Sequence, residues 1–191
     1  MKVVAINSSP REGGNTSILL GAITEELQKE GVETEIIKIG GLPIRGCMAC
    51  RKCWETKDKE CIIKNDIINP SIAKMDQADG LILASPTYFA DVNAEMKAFI
   101  DRTGYVSNAN GRLWKRKVCA AITAVRRGGA THTFDTMNHY FQIGQALVVG
   151  STYWNMVYGL NPGDVKGDQE GLANMRDLAQ NMAWLIKKIK A

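Results

Sequence analysis

Short, continuously apolar runs alternate along the chain with longer stretches in which apolar residues recur every three or four positions. The first run, Val3-Val4-Ala5-Ile6, is mostly β-branched and lacks polar alternation, which predicts a strand over residues 2–7 buried on both faces. Leu19, Ala22, Ile23, Glu26 and Leu27 then share one helical face, predicting a helix over 16–30 that Asn15 or Thr16 caps and Gly31 ends. Residues 32–39 read as a second strand, broken by Gly40, Gly41 and Pro43. Further strands are expected at 80–84, 118–123 and 148–153, with helices at 66–75, 93–103 and 131–147 and a long amphipathic helix through Leu172, Met175, Leu178, Met182, Leu185 and Ile189. Residues 45–61 show neither period and are expected to form an ordered loop. Apolar strands alternating with helices specify an α/β fold, a doubly wound parallel sheet covered on both faces. Five strands suit the order 2-1-3-4-5, which opens a ligand crevice at the carboxyl ends of strands one and three.

A length of 191 residues fits one domain, 1–191, carrying the 45–61 segment as an insertion. Hydrophobic residues at 45% and charged residues at 23% exclude a disordered chain, a collagen repeat and a coiled coil. No apolar run reaches the length of a membrane span or a secretory core, so a cytoplasmic protein without a membrane partner is expected. The net charge of +4 is modest, and the clusters at Arg112, Lys115, Arg116, Lys117 and at Lys187, Lys188, Lys190 precede a strand and end a helix. A nucleic-acid partner is not expected.

The turns after strands one, three and four emerge on one edge of such a sheet. The first, residues 8–17, offers the hydroxyls of Ser8, Ser9, Thr16 and Ser17, together with Asn15, Arg11 and a helix N-terminus. Several donors at the positive end of a helix dipole suit a terminal phosphate, although a well-capped helix has the same composition. GxGxxG and GxxxxGK[ST] spacings are absent, which argues against a dinucleotide fold of that type and a P-loop NTPase. The second turn puts Tyr88 and Phe89 directly after a buried strand, where they would stack on a flat heteroaromatic ligand or plug the sheet end. The third holds Arg126, Arg127, Gly128 and Gly129, small enough to allow close backbone approach.

Asn7-Ser-Ser-Pro-Arg, followed by Asn15-Thr-Ser, resembles the phosphate loop of the NADPH-dependent FMN reductase family. Ser85-Pro-Thr-Tyr-Phe-Ala and Lys97-Ala-Phe-Ile-Asp-Arg102 resemble its flavin loop and following helix, and Arg126-x-Gly128-Gly129 its third loop. The resemblance implies a flavodoxin-like fold that binds FMN. Carried over by position, Ser9, Arg11, Asn15, Thr16 and Ser17 would hold the phosphate. Pro86, Thr87, Tyr88, Phe89, Asp91, Val92 and Asn93 would surround the isoalloxazine, with Thr123 and Gly128 on its other side. Ser8 stands where the family often has Gly, and Asp91 where Gly or Ser is usual. An ionised carboxylate near the flavin would disfavour its anionic reduced form.

Four of the five cysteines fall within fifteen residues, as Cys47-x2-Cys50-x2-Cys53-x7-Cys61, while Cys119 sits in an apolar strand and reads as core. Two consecutive two-residue gaps match the ferredoxin-type spacing, and Cys61 can return as a fourth ligand. Zinc, which favours separated pairs, and free thiols or a disulfide are the competing readings. Arg45, Arg51, Lys52 and Lys57 would raise the potential of an anionic cluster there, or simply solvate an exposed loop. With the flavin loops, the motif resembles the iron–sulfur flavoprotein branch of the family. That implies FMN and a [4Fe–4S] cluster per subunit in a homodimer or homotetramer, the cluster of one subunit lying near the flavin of another. Trp54, Trp114 and Trp154 are candidates for such contacts or, equally, for buried structural roles. The expected activity is an FMN-dependent oxidoreductase moving electrons from a ferredoxin-like donor or NAD(P)H to a small acceptor, a quinone, oxygen or peroxide. A cluster-free NAD(P)H-dependent FMN or quinone reductase is the alternative. No side chain stands out as an acid–base catalyst, and His132 and His139, seven apart on one helix, read as structural.

Overall fold

The computed structural model describes residues 1–191. Strand β1 (Lys2–Asn7) lies between β2 (Glu33–Lys38) and β3 (Gly80–Tyr88), parallel to both, with Val4 level with Glu35 and Leu81. β3 continues parallel to β5 (Val118–Val125), all eight of whose residues are buried. Continuous apolar sequence and burial on both faces go together, because helices cover the sheet twice. α1 (Asn15–Lys29) and α6 (Gln169–Lys190) close one face over a core of 21 buried residues that includes Leu20, Ile82, Ile122 and Leu178. α3 (Ile68–Gln77), α4 (Ala94–Ala109) and α5 (Ala130–Ile143) close the other over 22, including Phe99, Phe141, Cys119 and Trp114. Two cores of nearly equal size show that neither sheet face is left to solvent. No helix is long and apolar enough to cross a membrane.

The expected five strands in the order 2-1-3-4-5 are corrected to seven, in the order β2-β1-β3-β5-β6. The fourth number goes to β4 (Asp91–Val92), a two-residue return that pairs antiparallel with the end of β3. The fifth position is divided between β6 (Leu147–Val148), beside the start of β5, and β7 (Met156–Tyr158), beside its end. Asn155 explains the division. Its side-chain amide donates to the Ala121 carbonyl at 3.0 Å, taking an acceptor that a strand's backbone would have used, and its own carbonyl accepts from Thr123 N at 2.9 Å. The chain before it bulges outward, exposing Tyr153 and Trp154.

The 45–61 segment is also corrected, from a loop without regular structure to one containing a five-residue helix, α2 (Lys52–Thr56). Ala49, Arg51, Lys57 and Lys59, none of them glycine, adopt left-handed backbone around it. Each such residue costs about 1–2 kcal/mol, so packing must hold the segment in shape. Ile44, Cys53 and Cys61 supply that packing by reaching the α3/α4 core. Trp54 meets the Tyr105 ring of α4 edge-on at 6.0 Å, and Trp154 is exposed. Trp114 is fully buried against Tyr140, which removes it from the candidates for subunit contact.

Candidate functional site

β1, β3 and β5 end on one edge, and the three loops leaving them meet there. Asn7 Oδ1 accepts from Ser9 N at 3.0 Å while its amide donates to Ser17 Oγ at 3.0 Å, tying the first loop to the first turn of α1. Ser8 N donates to the Ala84 carbonyl at 3.0 Å, tying the same loop to β3. Behind it lies Gly40, where a Cβ would stand 2.2 Å from the carbonyl carbon and oxygen of Ser9. The expected capping of α1 by Asn15 or Thr16 does not occur. Gly14 is the N-cap residue with no side-chain cap, and Asn15 Oδ1 accepts instead from Gly163 N at 2.9 Å. The backbone N–H groups of Asn15 and Thr16 consequently have no acceptor in the protein, at the positive end of a 15-residue helix.

The second loop is a hairpin whose two tip residues, Phe89 and Ala90, are both left-handed. The tip rests on Gly129, at φ 89°, where a Cβ would meet Ala90 Cα at 2.8 Å. At its base, Thr87 Oγ1 shares a 3.0 Å hydrogen bond with Thr123 Oγ1 and accepts one of 3.1 Å from Thr133. Asn93 donates to the Ser8 carbonyl at 2.6 Å, joining the second loop to the first. Asp91 turns toward α5: Thr136 Oγ1 donates to its carboxylate at 2.7 Å, as does Val92 N, and His132 Nε2 lies 3.5 Å away. Burial pushes this carboxyl up, but Thr136, Val92 N and His132 outweigh it and hold the group below the ordinary carboxylate range. Both histidines are exposed.

The loops border an open cleft. Of the residues expected to face a ligand, Ser9, Arg11, Asn15, Thr16, Pro86, Thr87 and Tyr88 line it. Ser17, Asn93 and Thr123 stand behind this lining as hydrogen-bond partners, Val92 is packed in the core, and Phe89 is fully exposed at the rim. Asp91 and Gly128 are not in the wall. Arg126 is, with Ala124, Gly159 and Leu160, and no sequence motif marks these last three. Arg11 donates to the Leu160 carbonyl at 3.0 Å and closes the ring of loops.

Cys47, Cys50, Cys53 and Cys61 all line a second, small pocket, walled on the far side by Arg102, Tyr105 and Val106 of α4. All four are free thiols, and Ala49 N donates to Cys47 Sγ at 3.4 Å. Burial pushes the Cys53 thiol up, and the other three cysteines add to the shift. No three His, Cys, Asp or Glu side chains converge tightly enough to grip one metal ion. A structural zinc needs four ligands within about 2.3 Å of a single centre. The four cysteines of a cubane bind four different irons and stand farther apart. Cys119 is fully buried, and burial pushes its thiol up strongly, as a core role requires.

The family model for NADPH-dependent FMN reductase matches residues 1–160. An iron–sulfur flavoprotein of Methanocaldococcus jannaschii is 35% identical over 100% of both chains. Another, from Archaeoglobus fulgidus, is 32% identical over 100% of this chain and 98% of its own. Among solved structures, RosB with bound 8-demethyl-8-formylriboflavin-5'-phosphate superposes with a TM-score of 0.74 at 17% identity, over 100% of this chain and 80% of that one. A WrbA-like flavodoxin from Agrobacterium tumefaciens gives 0.66 at 17% identity, over 98% and 97%. These two likenesses concern the fold, which is flavodoxin-like. The chain belongs to the NADPH-dependent FMN reductase family and is an FMN-dependent oxidoreductase. Within that family it falls in the iron–sulfur flavoprotein branch.

Proposed function

We propose that the protein couples a [4Fe–4S] cluster held by Cys47, Cys50, Cys53 and Cys61 to FMN held in the cleft. The observation that carries this is the gathering of all four motif cysteines, as free thiols, around one cavity. Bound FMN supplies two-electron chemistry at its ring and a cubane supplies one-electron chemistry, so the pair converts between the two kinds of carrier.

The chain's own part is to hold, orient and insulate. The free N–H groups at the start of α1, with Ser9, Arg11, Asn15 and Thr16, form a set of donors for the phosphate, and Ser17 braces them through Asn7. Pro86, Thr87 and Tyr88 provide the surface for the isoalloxazine, with Thr123 fixing the Thr87 hydroxyl and Phe89 at the rim. Val92 and Asn93 anchor the loop from behind, Asp91 latches it to α5, and Gly128 belongs to the loop that closes the opposite side. Metal loading must displace protons from four thiols, one of them buried, so it strengthens as pH rises.

Within one chain α4 separates the two sites. Asn93 precedes it at the flavin loop, and Arg102 and Tyr105 wall the cysteine cavity, about 14 and 18 Å farther along the axis at 1.5 Å per residue. Electron exchange weakens steeply with distance, which favours a homodimer or homotetramer in which a partner's flavin approaches the exposed cysteine face. The donor is a ferredoxin-like protein or NAD(P)H, and the acceptor is a quinone, oxygen or peroxide.

Protein prepared without oxygen is expected to carry about four irons and about four acid-labile sulfides per chain together with FMN. Yellow, iron-free protein would instead identify a cluster-free NAD(P)H-dependent FMN or quinone reductase. Colourless protein would overturn both halves.

A further inference from the structure

Arg102 is 1% exposed and sits in the wall of the cysteine cavity. Its guanidinium makes a two-pronged ion pair with Asp66, Nη1 to Oδ2 and Nη2 to Oδ1 at 3.3 Å. Nη1 also donates to the Arg45 carbonyl at 3.4 Å and Nη2 to the Ile63 carbonyl at 3.2 Å. The fifth N–H, on Nε, is buried with no acceptor. Buried donors are rarely left unpaired, and the residue that carries this one lines a cavity together with four cysteines, whose sulfur is an evident class of partner.

We propose that Arg102 sets the reduction potential of the cluster, its Nε–H donating to a sulfur in the cavity and its charge held in place by Asp66. This rests on the reading that the four cysteines hold a cluster. Four thiolates make a cubane anionic, and reduction adds one more electron. A fixed positive charge and an N–H···S hydrogen bond both favour the reduced form, so they raise the potential. Asp66, paired to the guanidinium through both Nη atoms, works in the opposite direction while fixing its geometry.

The pair therefore makes a prediction of sign. Arg102→Gln removes the cation and leaves the Asp66 carboxylate, so the potential shifts downward. Asp66→Asn leaves the cation uncompensated, so it shifts upward. A purely structural role predicts one direction for both, since loosening either partner admits water to the same cavity.

The test is an anaerobic dye-linked redox titration of the iron-loaded protein and of both variants at one pH and salt concentration, after iron analysis of each. Shifts of opposite sign support the proposal. Shifts of the same sign, or no shift with iron retained, overturn it. Should Arg102→Gln fail to fold or to hold iron, Asp66→Asn decides alone: an upward shift supports the proposal, and an unchanged or lowered potential overturns it. Wild-type protein that binds FMN but no iron would fail at the first step, locating the error in the cluster reading rather than in the role of Arg102.

Discussion

Cys53→Ala is expected to strip the protein of iron while leaving FMN in place. Cys53 is the one motif cysteine that is buried; it enters from α2 and packs into the α3/α4 core. Its thiol is pushed up by burial, so without metal it stays protonated and electrically silent. Cys47 and Cys50 are exposed and lie before α2, whereas Cys53 is carried within it. Outer-shell changes alone cost metal sites about 10–100-fold in affinity, and loss of a ligand costs more. Iron should fall from about four per chain to well under one. Exchanging a sulfur for a hydrogen in the core costs roughly 1 kcal/mol, small against a typical stability of about 5–15 kcal/mol. The fold therefore survives, and the FMN cleft, a helix length away, keeps its ligand. Iron analysis beside the flavin absorbance checks this. Retention of iron would remove Cys53 from the ligand set, and joint loss of iron and FMN would show that the two sites are not separable.

Gly40→Ala is expected to do the converse. The added Cβ would lie 2.2 Å from the Ser9 carbonyl group and 2.4 Å from the Ser8 carbonyl oxygen. These are backbone atoms, and Ser8 is fastened to Ala84 and to Asn93, so the loop cannot yield without losing those bonds. Overpacking of this kind costs about 1–3 kcal/mol. Where the displaced atoms form a phosphate site, that converts to a rise of roughly 5- to 140-fold in the FMN dissociation constant at about 1.4 kcal/mol per tenfold. Iron loading should be unaffected. Gly21→Ala is the matched control: Gly21 lies on the exposed side of α1 with nothing within 4 Å, so FMN binding should not change. Flavin fluorescence quenching measures both. A change under threefold in Gly40→Ala would show that the loop after β1 does not hold the phosphate.

What the sequence discloses follows from how local each cause is. The apolar runs of β1, β3 and β5 need no partner to be recognised, because burial on both faces leaves no polar position in them. The end of α4 is less legible. The pattern predicts a helix ending at 103, yet α4 continues to Ala109, and Gly104 is small because the Tyr140 ring of α5 lies 3.2 Å from where its Cβ would be. Gly40 likewise reads as the end of a strand, and only the neighbouring Ser9 backbone shows why it has no side chain. The cleft wall at Gly159 and Leu160 comes from a segment without a motif, placed by the detour around Asn155. The cysteine spacing is visible at once, but the turns that gather the thiols use non-glycine residues in left-handed backbone, a conformation their identity disfavours. Arg102 and Asp66 are 36 positions apart with no shared period, so their pairing is a product of tertiary packing alone.

The central claim is that one polypeptide joins a two-electron ring to a one-electron inorganic centre. It is tested most directly by counting electrons during an anaerobic reductive titration of freshly prepared protein. Uptake of about three electrons per chain is expected, two into FMN and one into the cluster, with Cys53→Ala taking up about two. Two electrons per chain in the unaltered protein would contradict it.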